Sequence, residues 1–369
     1  MPGLGLGLGL ETPRQRLGGA SLLATAMALV QPIAHWNPSE GPGWIGTNGS
    51  MGEPGIGDPV GLLPDVSEWG GKKQAAFIAG QAELPASTWP QAEQWADNGD
   101  GSWTADGSQG AAIDLRDSNY FTAGKNYLLT FTVTGTSNVV VGFFGTSNFQ
   151  TFGNGTHTRV FKALTGLFIF RVNAGVAGTV GAIAVKELPG NHAIAGAPGS
   201  PSDTARGTAG DGTLIFNGVN NEYALQTAVS SDEVGTVITV FERAADTRTI
   251  GLASTLDIVP YAGLWWINNN FQMAMGSTQR SAVGSTAAGP HVMTAMRGAT
   301  QQQLILNGVE IIAPGAFGSA LDYNSIGKRS TAPNASPLRA IIAFDRELTA
   351  PELAAWHAYA ASLGGAVFP

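Results

Sequence analysis

The chain has no cysteine. Disulfides, thiolate metal sites and cysteine nucleophiles are excluded, and the redox compartment is left open. Charge is scarce: Asp, Glu, Lys and Arg make up 12% of the residues, about half the usual share. Five histidines scattered over 369 residues are too thin for a His-rich metal site. Acidic residues outnumber basic ones by 27 to 19, for a net charge of −8, and there is no basic stripe to hold a nucleic acid. The nearest thing to a long apolar run, Leu17 to Ala34, is interrupted by Gln31 and Pro32. A membrane span needs about 20 apolar residues, so no membrane insertion is expected.

Glycine (51 residues) and proline (20) are abundant, and 43% of the chain is hydrophobic. Turns must be frequent and elements short, and wholesale disorder is excluded. The length suffices for two or three cores. Composition therefore describes a soluble, β-rich protein and says nothing of its work.

Residues 3–10 alternate Gly and Leu. Such a strip has no fold of its own, yet Leu4, Leu6, Leu8 and Leu10 gain from burial. It reads as a peptide that orders against a partner, or as a frayed terminus. Leu17 to Ala34 follows Arg14 and Arg16 and could be a signal-peptide core. Glu11 and the Gly-Leu strip spoil that pattern, so a short buried or partner-packed segment is preferred. Residues 35–65 are rich in Gly and Pro, which forbids long elements. Trp36 and Trp44 are expected to pin this stretch to a folded surface.

From Trp103 onward the period is two. Tyr127, Leu129, Phe131 and Val133 alternate with Leu128, Thr130, Thr132 and Thr134; Val139/Val141/Phe143, Phe168/Phe170/Val172 and Gly181–Leu188 repeat the pattern. Short, evenly spaced strands with Gly/Asn/Thr turns predict an antiparallel jelly roll over 82–188. Asp97-Asn98-Gly99-Asp100 reads as a turn. The calcium alternative lacks the spacing of an EF-hand loop.

Residues 189–212 form a connector rich in Gly, Ala, Pro and Ser. It is either an extended semi-flexible spacer or, if it packs against residues 50–80, a clamp that makes the jelly roll an insertion. Beyond it, Leu214–Phe216, Val237–Phe241 and Arg339–Phe344 read as strands, the last mostly apolar and so central. Leu304–Ile311 carries Asn307-Gly308, the type I′ hairpin signal. The period then changes: Thr349-Ala350-Pro351-Glu352 has the form of a capping box, and Leu353, Trp356, Ala360 and Leu363 follow at helical spacing up to Gly364-Gly365. The predicted fold is all-β: two antiparallel β-sandwiches after an irregular N-terminal docking segment (1–81), with a short C-terminal helix ending the second sandwich (213–369).

No catalytic set is visible. There is no G-x-S-x-G, H-E-x-x-H or phosphate-binding loop. The closest carboxylate pair, Asp232-Glu233, would point to opposite faces of a strand, unlike the paired carboxylates of a glycosidase. The chain is therefore expected not to be an enzyme and to need no cofactor and no metal. Glycan contact is better supplied. Aromatic faces stack on sugar rings while amides bond hydroxyls, and Tyr261, Trp265, Trp266, Asn268, Asn269 and Asn270 form the densest such group. Its plain alternative is one core Trp and a solvated loop. Trp103 and Tyr120 are weaker candidates that suit the core, and His192 suits a structural hydrogen bond.

Two resemblances follow from quoted residues. Ala343-Phe344-Asp345-Arg346-Glu347-Leu348-Thr349 before a helix, with the Asn307-Gly308 hairpin and Phe216-Asn217-Gly218, resembles the end of concanavalin A-like (laminin G-like) lectin sandwiches. Gly57-Asp58-Pro59-Val60-Gly61-Leu62-Leu63, an intervening jelly roll, and Glu187-Leu188-Pro189-Gly190-Asn191-His192-Ala193 are similar to tailed-bacteriophage virion proteins that carry a carbohydrate-binding-module-like jelly roll between such segments. Pro64 departs from that pattern, which has Leu there. The resemblance spans roughly residues 50–365. It implies a virion protein, a tail fibre or fibre-like appendage, docked to other virion proteins through Leu4, Leu6, Leu8 and Leu10, homo-oligomeric, and touching host glycan non-covalently and multivalently. The alternatives are a capsid-bound head fibre or decoration protein, and a secreted glycan-active enzyme.

Overall fold

The computed structural model describes residues 14–38, 58–69, 74–135, 138–143, 149–163, 165–197, 200–201, 205–243, 249–253, 263–267, 270–275, 277–283, 288–320, 322–329 and 332–364. The fold is all-β, with antiparallel sheets and a C-terminal helix.

The jelly roll consists of two five-stranded sheets. One has the order Gly155–Lys162, Asn126–Thr134, Ala177–Glu187, Trp103–Asp106, Ala96–Asp97; the other Gln150–Phe152, Val139–Phe143, Phe168–Val172, Ile113–Asp117, Gln91–Ala92. The alternation in Asn126–Thr134 does what a period of two demands. Tyr127, Leu129, Phe131 and Val133 enter the core, where Phe131 meets Phe170 at 5.3 Å and Phe152 at 5.1 Å. The threonines face out and pair across strands, Thr132 with Thr156 at 3.0 Å and Thr104 with Thr179 at 2.8 Å. Leu128 and Val160, on the outer face, are covered by Phe77 of a short helix, Gln74–Gly80, together with Leu62, Val66 and Leu188.

The second sandwich has two sheets of nine described strands each. The first is centred on Leu338–Phe344 between Thr236–Arg243 on one side and Leu214–Ile215 with Ala34–Trp36 on the other. The second runs from Ala193–Ala197 through Tyr223–Ser230, Asp322–Ile326, Thr249–Ala253, Gly263–Ile267 and Asn270–Ala274 to Arg280–Val283. Leu338–Phe344 is apolar apart from half-buried Arg339 because both its faces are buried. Leu338, Ile341 and Ala343 enter the core between the sheets, and Ala340, Ile342 and Phe344 lie under two helices. Those helices are α1 (Arg14–Leu29) and α2 (Ala350–Gly364). Leu23 and Ala26 of α1 join Trp356, Tyr359 and Ala360 of α2 over the sheet. Leu17 to Ala34 is thus mostly helix, packed within the molecule. No helix among the described residues is long and apolar enough to cross a membrane.

The N-terminal part adds strands that the sequence hid. Ala34–Trp36 and Pro59–Val60 join one sheet of the second sandwich and Leu62–Leu63 the other. Trp36 is fully buried, as its pinning role requires. Of the two readings of the connector, the clamp is the one observed. Ala193–Ile194 pair with Leu62–Leu63, and Gly207–Thr208 pair with Pro59–Val60. The jelly roll therefore leaves and re-enters the second sandwich at neighbouring strands.

Candidate functional site

The residues expected to touch sugar fall partly outside the described set. Tyr261, Asn268 and Asn269 lie outside it, as do the docking residues Leu4, Leu6, Leu8 and Leu10. Trp265 and Trp266 occupy the Gly263–Ile267 strand, and Asn270 begins the next. The register sets Trp265 opposite Gln272 and Trp266 opposite Phe271. The side chains of Trp265, Trp266 and Asn270 lie outside the described residues. Tyr120 and Trp103 are half-buried against the jelly-roll core, the Tyr120 ring tilted 58° to that of Trp89 with centroids 5.8 Å apart. The Asp97–Asp100 stretch is a turn. Asp97 Oδ1 accepts from Gly99 N at 2.8 Å, and Asp100 Oδ1 accepts from Ser102 N at 2.9 Å and Ser102 Oγ at 2.6 Å. Asp232 is drawn to Arg297, while Glu233 accepts from Ser230 N at 3.2 Å, so the two carboxylates serve separate contacts.

His192 lies in a buried polar junction where the two resemblance segments meet. Asp65 Oδ1 accepts from His35 N (2.8 Å) and Ser67 N (3.0 Å), and Oδ2 accepts from Asn191 N (2.8 Å). Asp65 N donates to His192 Nδ1 at 3.0 Å. That ring nitrogen must then be unprotonated, and Nε2 faces Leu188 O at 3.3 Å as the donor. Burial lowers the His192 pKa, against the pull of Asp65, which keeps the ring neutral as this geometry needs. Asn126 Nδ2 donates to Gly190 O, and Trp36 Nε1 to Asn191 O (2.7 Å). These contacts tie the jelly roll's two connecting segments to the host sandwich.

An open cleft of about 210 Å³ lies elsewhere, lined by Gly298–Gln303, Pro314 and Glu347. Its floor is a tight turn between the strands Gly289–Arg297 and Gln302–Leu306, closed by Gly298 N donating to Gln301 O at 2.9 Å. Gln302 is fully buried and braces the turn. It accepts from Met275 N at 2.9 Å and donates to Thr278 O at 2.7 Å. Glu347 comes from the loop after the central strand, which lies flat on the sheet end because two glycines let it. A Cβ at Gly235 would overlap the Arg346 backbone, and one at Gly298 would sit 2.6 Å from Glu347 Oε2. The loop is fixed on both flanks of Glu347. Arg346 grips Glu352 at 2.6 and 2.8 Å, and buried Leu348 donates its N–H to Thr236 Oγ1 at 3.1 Å. Glu352 also accepts from Thr349 N at 2.9 Å, the reach-back half of the capping box. These contacts, Arg346 first, hold its carboxyl well below the usual range, at about 2. The side chains of Thr300, Gln301, Gln303 and Glu347 make no hydrogen bond or ion pair among the described residues. The sequence signal for this site was the Asp-Arg-Glu-Leu-Thr motif, read above only as a mark of the fold.

No protein-family model and no curated protein matches the chain. Solved structures similar to it include a Trypanosoma rangeli sialidase in complex with the inhibitor DANA, at 14% identity and TM-score 0.31, covering 47% of this chain and 29% of that one. A mutant of the same sialidase displaying trans-sialidase activity covers 47% of this chain and 30% of that one, at 14% identity and TM-score 0.33. A leech intramolecular trans-sialidase covers 38% of this chain and 26% of its own, at 11% identity and TM-score 0.27. The chain thus spans less than a third of the length of each. The expectation that the chain is not an enzyme is corrected here. These neighbours are sialidases and trans-sialidases, glycan-active enzymes. At a TM-score of 0.31 the likeness assigns it neither activity nor substrate.

Proposed function

We propose that this chain is a structural protein of a tailed-phage particle, a tail fibre or fibre-like appendage held by its N-terminal segment and contacting host-surface glycan. One observation supports the reading. The two segments that carry the virion-protein resemblance pair in space, Leu62–Leu63 with Ala193–Ile194 and Asp65 with His192, and between them stands an inserted jelly roll. Spacing far apart in sequence has a single structural purpose there, a neck from which one sandwich projects on another. Weak sugar contacts would be multiplied by copy number on the particle. Trp265 and Trp266, with Tyr261, Asn268 and Asn270, remain the proposed aromatic contact.

The test is proteomics and cryo-electron microscopy of purified particles, with a glycan array of the full chain beside its Trp265→Ala and Trp266→Ala variants. Density at the tail and array binding that weakens in either variant support the proposal. Density on the capsid favours a head fibre or decoration protein. Absence from particles, with release of sugar from the array, places the chain among glycan-active enzymes.

A further inference from the structure

We propose that the cleft between the 298–301 turn and Glu347 is a sugar subsite that takes one neutral pyranose ring. This rests on the glycan-contact reading above and names where and what. The volume of about 210 Å³ lies below the roughly 300–1,000 Å³ of clefts for drug-sized ligands, which matches a single ring better than an extended chain. The lining is chemically specific. One carboxylate, two amides and one hydroxyl make no hydrogen bond or ion pair among the described residues, and Ala299 and Pro314 supply an apolar edge for a ring's C–H face. A carboxylate accepts from two vicinal hydroxyls at once, and amides both donate and accept, which is the set a polyol needs.

Charge decides the class. The two arginines beside the cleft are spent. Arg346 is committed to Glu352, and Arg297 to Asp232 and the Ser231 carbonyl while its guanidinium lies 4.0 Å over the Phe317 ring. Among the described residues no cation lines the cleft to offset Glu347. An acidic sugar would bring its own carboxylate against that group, so sialic and uronic acids are disfavoured and a neutral ring is accepted. The site is also pre-organised. Its turn is braced by Gln302 and its acidic loop is clamped through Arg346 and Leu348, so the ordering left on binding is that of the side chains.

The experiment is ligand-observed NMR and calorimetry on the full chain with methyl glucopyranoside, methyl galactopyranoside, methyl N-acetylglucosaminide and the methyl glycoside of N-acetylneuraminic acid. The variants are Glu347→Gln and Gln303→Ala. Neither side chain has a partner to lose, and thermal melts confirm that both variants fold. The expected result is millimolar binding of at least one neutral glycoside, weakened roughly tenfold or more by Glu347→Gln, the factor for losing a charged hydrogen-bond acceptor, with no binding of the sialoside. Three results overturn the inference: neutral binding unchanged in both variants, binding of the sialoside in preference to the neutral rings, or array binding lost in Trp265→Ala but untouched by either cleft variant. In that last case the glycan-contact reading stands and this subsite falls. A full chain that binds no glycan on the array refutes the broader reading instead.

Discussion

Acid should unfold this protein through its buried histidines, and His35 allows the effect to be isolated. His35 is 1% exposed and burial pushes its pKa from 6.5 down to about 4, although Asp65 pulls the other way. A histidine whose folded pKa is depressed gives stability that is complete above about 6.5 and is lost as the pH falls through that value toward 4, because the unfolded chain takes up the proton first. Keeping one proton off over that window is worth up to about 3 kcal/mol, of which about 2 kcal/mol appears between pH 7 and pH 5. His357, lowered to about 4, and His192, lowered in the same direction, steepen the slope. The ring of His35 stands edge-on to Trp356 at 6.1 Å and Tyr359 at 5.8 Å, and its Nε2 is buried with no hydrogen-bond partner among the described residues. His35→Phe therefore keeps the ring packing and removes the titration. Urea unfolding of parent and variant between pH 7.5 and 4.5 should show the parent losing stability more steeply, by close to one proton, with the variant at least as stable below pH 5. Equal slopes in the two proteins would refute the reasoning.

Three further outcomes follow from named contacts. Gly235→Ala forces a methyl into the Arg346 backbone; it should cost about 1–3 kcal/mol or more in denaturant unfolding and disturb the loop that carries Glu347. Asp65→Asn removes the charge that accepts three backbone N–H groups and sets an amide against one of them. A loss of about 1–3 kcal/mol and earlier proteolytic cutting near residues 188–192 are expected. Asn307 and Gly308 hold φ values of +48° and +82°, and Asn307 Oδ1 also accepts from Val292 N at 2.9 Å. Asn307→Ala should therefore lower stability by about 1–2 kcal/mol, measured by thermal melting, and more than an alanine placed at exposed Glu310.

The strands with strong periodicity were legible and the short ones were not, for a physical reason. Asn126–Thr134, Phe168–Val172, Thr236–Arg243, Leu338–Phe344 and the C-terminal helix each run long enough for alternation, burial on both faces or capping to show. Ala34–Trp36, Pro59–Val60, Leu62–Leu63 and Gly207–Ala209 are two or three residues long. A period of two cannot be seen in so few positions, and each pairs with a strand more than a hundred residues away, Gly207–Ala209 having Leu214–Ile215 as a near neighbour besides. Gly155–Lys162 hid differently. Its inward positions include His157 and Arg159, a half-buried and a buried polar side chain at the edge of the sandwich, so its pattern reads as polar on both faces. α1 was obscured by Gly18 and Gly19 within it, weak helix formers that tertiary packing on α2 overrides.

The candidate cleft was illegible for a related reason. Its carboxylate and its turn come from segments that sequence places apart, and what unites them is the absence of two side chains, at Gly235 and Gly298. Glycine in a Gly-rich chain carries no signal by itself. The same holds at the neck, where the resemblance segments looked like linkers because their Gly and Pro content matches that of linkers. Their Asp65, Asn191 and His192 form instead a satisfied, largely buried polar network, of the kind that rigidifies a structure and specifies one arrangement. The apolar contact of Leu62, Val66 and Leu188 with Leu128 and Val160 would by itself tolerate sliding. The carboxylate beside it, accepting from His35, Ser67 and Asn191, with a neutral histidine fixed in one tautomer, sets the register. That argues for a jelly roll held at a set orientation on its host sandwich, as the glycan-contact role proposed above requires.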